Sequence, residues 1–291
     1  MNGSRSSCSS LIEMVCLDMD GTSLHSDGIF TERTGRVLRE ISRKGIVVAF
    51  CSGRRADAMF PHIEGLGFDE NVDIPVVACN GAEGFIVNGK KKRKVFDEML
   101  SIEGAKNILS FAKEHCLMAQ YYTANSLYAC PQSDEQRALM ERYARMTGSK
   151  HTLCSPDYRE AIADDPNPSK ILLMTNSPDI FMKSLREQVH DVHRIRASFF
   201  LECLAKNCNK GAGLERMCRV VSIPLEACAA FGDADNDIEF VSLAGTGVAM
   251  KNARQCLIDV ANRTTMWSND QDGCAREIEL LIKEGKLKLM N

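Results

Sequence analysis

Asp18-Met19-Asp20-Gly21-Thr22 follows the apolar run Met14-Val15-Cys16-Leu17, and this junction of a short buried strand with two carboxylates and a glycine decides how the rest of the chain is read. Side chains at i and i+2 point the same way along a strand, so Asp18 and Asp20 are expected to converge on one spot beyond the strand end. One carboxylate of such a pair can hold a cation or attack a substrate while the other handles protons. Gly21 lets the backbone turn sharply and approach a ligand. Taken alone, the stretch also reads as an acidic, glycine-containing turn.

Three further signals stand outward from it. After a helix pattern over about Thr31 to Lys44, a second apolar run, Ile46-Val47-Val48-Ala49-Phe50, ends in Cys51-Ser52-Gly53-Arg54. Far downstream Lys210-Gly211 opens an amphipathic segment, and Ala229-Ala230-Phe231 ends in Gly232-Asp233-Ala234-Asp235-Asn236-Asp237. In an open parallel sheet ligands bind outside the carboxyl ends of the strands, so polar groups from three strand ends are expected to meet there. Singly, Ser52 reads as an N-cap, Lys210 as a solvated helix residue and Asp235 as the cap of the following helix. Together they read as a site.

The 291 residues, 44% of them hydrophobic, suffice for a sizeable core and two domains. A net charge of −3 gives no global reason to expect nucleic acid or an anionic membrane as a partner. The thirteen cysteines are odd in number and scattered without a C-x-x-C pair, which argues for a reducing compartment rather than a disulfide or zinc framework. The six histidines are dispersed, with only His190 and His193 close together, so no nitrogen-rich metal site is expected. Residues 1–10 are serine-rich and lack the apolar core of a signal peptide, and no apolar run reaches membrane-spanning length. A flexible start and a soluble, cytoplasmic protein are the expectation.

Strand and helix signals alternate, with core strands near 13–18, 46–51, 75–79, 228–232 and 245–249. Between them the reading changes. Asn88-Gly89, flanked by Phe85-Ile86-Val87 and Lys94-Val95-Phe96, predicts a hairpin where antiparallel pairing begins. A helix pattern covers about 102–115, strands are predicted near 117–122 and 125–129, and Ser133-Asp134-Glu135-Gln136 has capping-box form ahead of a helix to about Met146. A strand over 171–174 and a helix opened by Ser177-Pro178 complete an α/β insert. The boundaries are placed so that residues 11–83 and 197–291 form the core and 84–196 the insert.

In order and type, the D-x-D-G-T stretch, Ser52, Lys210 and Gly232-Asp233-x-x-Asn236-Asp237 resemble the four signature motifs of the haloacid dehalogenase superfamily of phosphohydrolases. Their particular forms, and an insert of this size between the second and third motifs, are similar to the Cof-type branch with its large α/β cap. The resemblance implies a Rossmann-like parallel core sheet with an inserted cap that excludes water and selects the leaving group. It implies Asp18 as nucleophile forming an aspartyl-phosphate, Asp20 as general acid and base, and Lys210 as the neutralising cation. Mg²⁺ would be held by the Asp18 carboxylate, the Asp20 backbone carbonyl and the Asp233 carboxylate. Ser52, Asn236 and the amides around Gly21 and Gly53 would contact phosphate, with Asp237 orienting either Lys210 or a metal-bound water. Arg54, with Arg55, would hold a second anionic group or pair with surface acids.

Three positions depart from the family pattern: Ser23 and Cys51, where apolar or small residues are usual, and Ala234, where glycine is frequent. None removes a catalytic atom. Lys90-Lys91-Lys92-Arg93-Lys94 reads either as a polyanion or nuclear-import patch or as a solvated hairpin guarding a sheet edge. The implied activity is a phosphatase acting on a small phosphorylated metabolite, a sugar phosphate or cofactor phosphate. A phosphomutase using the same aspartyl-phosphate and an idle phosphometabolite-binding protein are the alternatives. Oligomeric state is left open.

Overall fold

Five strands open the chain: β1 (Met14–Leu17), β2 (Val47–Cys51), β3 (Ile74–Ala78), β4 (Glu83–Asn88) and β5 (Lys91–Asp97). Six follow, β6 (Met118–Tyr122), β7 (Leu127–Ala129), β8 (Thr152–Leu153), β9 (Lys170–Met174), β10 (Val192–Arg196) and β11 (Phe200–Ala205), and β12 (Cys228–Gly232), β13 (Thr246–Ala249) and β14 (Arg263–Thr264) complete the set. The computed structural model describes residues 10–290; the flexible start expected over residues 1–10 falls, up to residue 9, outside the described residues.

The strands build two sheets, ordered β14-β13-β12-β1-β2-β3-β4-β5 and β10-β11-β9-β6-β7-β8. In the first, β14 through β3 are parallel, and β4 turns antiparallel against β3. β1 is flanked by β2 on one side and β12 on the other, so the chain winds away from it in both directions. That reversal leaves a crevice at the carboxyl end of β1. Register brings the strand ends level there: Leu17 pairs with both Phe50 and Phe231, and Phe50 with Val76.

β1 is buried on both faces, as a parallel strand covered by helices must be. Val15 and Leu17 pack with Val37, Leu38 and Ile41 of helix Glu32–Arg43 and with Ile278 and Leu281 of helix Gly273–Lys283. Met14 and Cys16 face the other layer, with Leu214 and Met217 of helix Lys210–Val221 and Phe240 of helix Ile238–Leu243. The two layers hold the strand in place, and with it the residues that follow.

The second sheet is mostly antiparallel. Ile171 and Leu173 of β9 pack toward Ile108 and Phe111 of helix Ile102–Glu114 and Leu185 of helix Pro178–Gln188, whereas Leu172 and Met174 pack toward Leu139 and Tyr143 of helix Asp134–Thr147. At the start of that last helix Ser133 Oγ accepts the Gln136 N–H as expected, but Gln136 reaches back to the N–H of Gln132 rather than closing the box on Ser133. Ser177 supplies no side-chain cap, and Pro178 opens its helix at the first turn.

The chain divides into two compact units, one running through Phe96 and resuming at Lys210, the other Asp97–Asn209. Both boundaries lie later than the residues 84 and 197 expected from the sequence. The Asn88-Gly89 hairpin does form, but its first strand pairs with β3, so it extends the core sheet instead of opening the insert. Phe96 seals that attachment: its ring lies where a β-carbon on Gly84 would be. At the other end β11 pairs with β9 and β10, which keeps residues past 197 in the second sheet. No helix of the described residues is long and apolar enough to cross a membrane.

Candidate active site

β1 ends at Leu17, and Asp18 leaves it still extended, with φ −65° and ψ 161°, and only 4% exposed. Three residues on, Gly21 turns with φ +75°. A β-carbon there would fall 2.4 Å from Asp233 Oδ2, so both the turn and the closeness of the Asp233 carboxylate require glycine. Thr22 donates to Asp233 Oδ1 at 2.8 Å, fastening the loop after β1 to the end of β12. Ser23, the unusual residue, donates to the Asp18 carbonyl at 2.6 Å and closes the loop on itself.

Lys210, at the start of its helix and 1% exposed, places Nζ 2.5 Å from Asp18 Oδ1 and 2.6 Å from Asp237 Oδ1. The second oxygen of Asp237 accepts the N–H groups of Asp233 and Ala234, both at 3.0 Å. Asp237 therefore orients Lys210 and shapes the loop after β12. Asp235 instead pairs with Arg254 at 2.6 Å and accepts from Cys256 Sγ, so it does not act as the helix cap. Cys51, the second departure, directs its thiol toward the Lys210 carbonyl.

Acceptor oxygens of Asp18, Asp233 and Asp237 lie within 4.8 Å of one another, and the Lys210 ammonium meets two of these three acids. Burial pushes the Asp18 carboxyl well above the usual carboxylate range despite the pull of Lys210, and the charges of Asp237 and Asp233 push the same way. Asp233 is pushed up to about 6, by burial first and then by Asp237, with the Thr22 hydroxyl opposing. For Lys210 burial disfavours the charged form, but Asp18 and Asp237 outweigh it and raise its pKa. The cluster carries more negative than positive charge in a poorly solvated place. An all-oxygen donor set of this kind suits a hard divalent cation such as Mg²⁺, with Asp18 and Asp233 as carboxylate ligands. Asp237 suits that role less, because Lys210 and two amides already occupy its oxygens.

Asp20 does not join this cluster. Its carboxylate is 58% exposed and is gripped by the Arg54 guanidinium, Nε to Oδ2 at 2.7 Å and NH2 to Oδ1 at 2.6 Å. The expected convergence of the two acids fails because Asp20 (φ −74°, ψ 124°) leads straight into the left-handed Gly21, and the arginine claims the side chain. Arg54 thus pairs with an acid of the site itself, while Arg55 pairs with Asp57 at 3.0 Å. The third nitrogen of Arg54 meets His62 Nε2 at 3.0 Å, and His62 is held below its ordinary pKa by burial and by that guanidinium.

Ser52 is buried and its Oγ accepts the Arg54 N–H at 3.1 Å, a local turn rather than a helix cap, since the helix Ala56–Gly65 begins later. Gly53 packs flat against the Asn80 amide, and Asn236 Nδ2 donates to Asn80 Oδ1 at 2.9 Å. Asn80 was not singled out from the sequence. The signal available was its place in Cys79-Asn80-Gly81, an Asn-Gly turn at the end of the neighbouring parallel strand. Asn252, whose Nδ2 donates to the Gly21 carbonyl at 2.8 Å, carried no signal at all.

A family described as haloacid dehalogenase-like hydrolase matches residues 15–278. The chain is 26% identical over 276 residues to a 5-amino-6-(5-phospho-D-ribitylamino)uracil phosphatase of Bacillus subtilis (strain 168), covering 90% of this chain and 95% of that one. It is 26% identical over 255 residues to an HMP-PP phosphatase of Serratia proteamaculans (strain 568), covering 84% and 85%. The fold matches that of a haloacid dehalogenase-like hydrolase from B. subtilis, with a TM-score of 0.79 at 24% identity over 93% of this chain and 100% of that one. It also matches that of a subclass IIB sugar phosphatase, with a TM-score of 0.77 at 19% identity over 94% and 99%.

Proposed function

Since the chain belongs to the haloacid dehalogenase-like hydrolases and is a phosphatase, we propose that it hydrolyses small phosphorylated metabolites, sugar phosphates or cofactor phosphates, through a phosphoryl group carried on Asp18. The observation that supports this most is the buried Lys210 ammonium between Asp18 and Asp237, with Asp233 alongside, at the carboxyl ends of adjoining parallel strands.

In this reading the Asp18 carboxylate attacks phosphorus, the bond to the ester oxygen breaks, and Asp20, protonated once its ion pair with Arg54 is released, gives that oxygen its proton. A water then loses a proton to Asp20 and attacks the same phosphorus, releasing phosphate and restoring Asp18. Lys210 offsets charge on Asp18 and on the transferring group, and Asp237 keeps its Nζ aimed. Ser52, Asn236, Arg54 and the amides near Gly21 and Gly53 hold the phosphoryl oxygens or the groups that face them. Mg²⁺, held by Asp18, Asp233 and the Asp20 carbonyl, would balance the surplus negative charge of the cluster and polarise the phosphoryl group.

The test is phosphate release from a panel of phosphorylated sugars, nucleotides and vitamin precursors, with Mg²⁺. Turnover is expected to vanish with a chelator and in Asp18→Asn. Turnover that survives Asp18→Asn would remove the nucleophile assignment. Conversion of a substrate to an isomeric phosphoester without phosphate release would make the protein a mutase.

A further inference from the structure

The end of β3 has a backbone no other strand end of the site shares. Cys79, Asn80 and Gly81 take φ values of +49°, +53° and +100° in succession, and the first two are not glycines. Left-handed backbone is unfavourable for a side-chain-bearing residue, least so for asparagine, and such conformations persist where the surroundings over-determine them. Here the surroundings are the site. The Cys79 N–H donates to the Arg54 carbonyl at 2.8 Å, and the Asn80 N–H donates to the Ser52 carbonyl at 3.0 Å.

The turn drives the Asn80 side chain inward, to 2% exposure. Its Oδ1 accepts from Asn236 Nδ2 at 2.9 Å. On another edge, a β-carbon on Gly53 would lie 3.0 Å from Nδ2 and 3.2 Å from Oδ1, so the Ser52-Gly53 turn can lie against this amide only because residue 53 has no side chain. One buried amide therefore touches the turn after β2 and the loop after β12, which otherwise come from opposite sides of β1.

We propose that Asn80 is a positioning residue of the phosphoryl site, setting the Ser52-Gly53 turn and Asn236 in register with each other. The proposal rests on the phosphatase reading above, and it concerns geometry rather than contact with substrate. Small misplacements of groups around a reacting phosphoryl group are costly, which gives the arrangement a purpose.

Asn80→Gly keeps the left-handed backbone without strain and deletes only the amide. It is expected to fold, by far-UV circular dichroism and thermal midpoint, and to lower kcat by roughly 10- to 100-fold with little change in KM. Because Asn80 acts in part through Asn236, the double variant Asn80→Gly/Asn236→Ala should be slower than Asn236→Ala alone by less than the factor that Asn80→Gly costs in the wild type. Orthovanadate, which becomes five-coordinate when a carboxylate adds to it and so mimics a phosphoryl group in transfer, should raise the melting temperature of the wild type with Mg²⁺ and do so less in Asn80→Gly. Unchanged kcat in a folded Asn80→Gly, or losses that multiply in the double variant, would overturn the proposal.

If the wild type releases no phosphate from any compound, the phosphatase reading falls, and the vanadate shift still decides this one. A shift equal in wild type and Asn80→Gly, zero in both included, overturns it. Should Asn80→Gly lose its fold, Gly53→Ala reads the same contact from the other side. Its methyl meets the amide, and kcat and the vanadate shift should both fall; if neither falls, the proposal fails.

Discussion

Among the described residues two lysines are buried, one in each unit, and they differ in what surrounds them. Lys170 of β9, 2% exposed, meets Glu202 of the adjacent β11 at 2.9 Å with the Tyr122 ring 4.8 Å from its ammonium. Lys210, 1% exposed, meets Asp18 and Asp237 with Asp233 beside them. The first is a pair whose charges cancel, a polar tie across two strands. The second leaves negative charge over, and burial raises the proton affinity of Asp18 and Asp233 as a result. An ion pair that cancels is complete as it stands, whereas a surplus is completed by a cation and by chemistry that moves charge.

The largest expected effect lies at the surplus site. Asp18→Asn should lower phosphate release by about four orders of magnitude or more, read in the metabolite assay, with a thermal midpoint at or above the wild type's because it removes a crowded charge. A midpoint several degrees lower would mean that the cluster is structural, like the pair in the insert.

The lysines themselves separate activity from stability. Lys170→Met takes the ammonium away from a buried Glu202 and should cost about 3–5 kcal/mol in denaturant unfolding, and Lys170→Met/Glu202→Leu should recover most of it. Lys210→Met should lower kcat by about 10²–10³-fold instead, since it removes a cation that faces developing charge. Equal losses of activity in both lysine variants would erase the distinction.

Mg²⁺ gives a smaller and more specific effect. A cation bound only by the folded protein stabilises it by about 2.7 kcal/mol at a hundredfold excess over Kd. Thermal melts should show stabilisation in the wild type that Asp233→Asn loses and Lys170→Met/Glu202→Leu keeps.

The smallest effect is pH-dependent. Asp233 has a folded pKa of about 6, raised above 3.8, so its contribution to stability is fully present below 3.8 and is lost as pH rises through 6. In metal-free protein Asp233→Asn should therefore gain stability over the wild type between pH 4.5 and 7.5. A gain that runs the other way would show that the carboxylate is stabilised by the fold and not crowded by it.

The parts of the site that rest on strand ends were legible because a parallel sheet brings such ends together whatever fills the intervening chain. The structure brings Asp18, Lys210, Asp233 and Asp237 together across more than two hundred residues. Contacts made by long side chains were not legible. Nothing local tells Arg54 to take Asp20 rather than a surface acid, because the choice depends on where the turn at Gly21 aims the carboxylate. The hairpin at Asn88-Gly89 was legible as a hairpin, yet its allegiance to β3 was not, since turn chemistry reports local reversal and says nothing about which sheet receives the strands.

Alternation, turn residues and motif order thus determined from sequence alone that this is an α/β chain with an insert and a carboxylate-rich site at the strand ends. Only the tertiary structure decided the charge balance around each buried lysine, the hold of Arg54 on Asp20, and the place of Asn80 between two loops. The reason is physical: periodicity records which face of an element is buried, but burial of charge is a sum over neighbours that come together only when the elements pack.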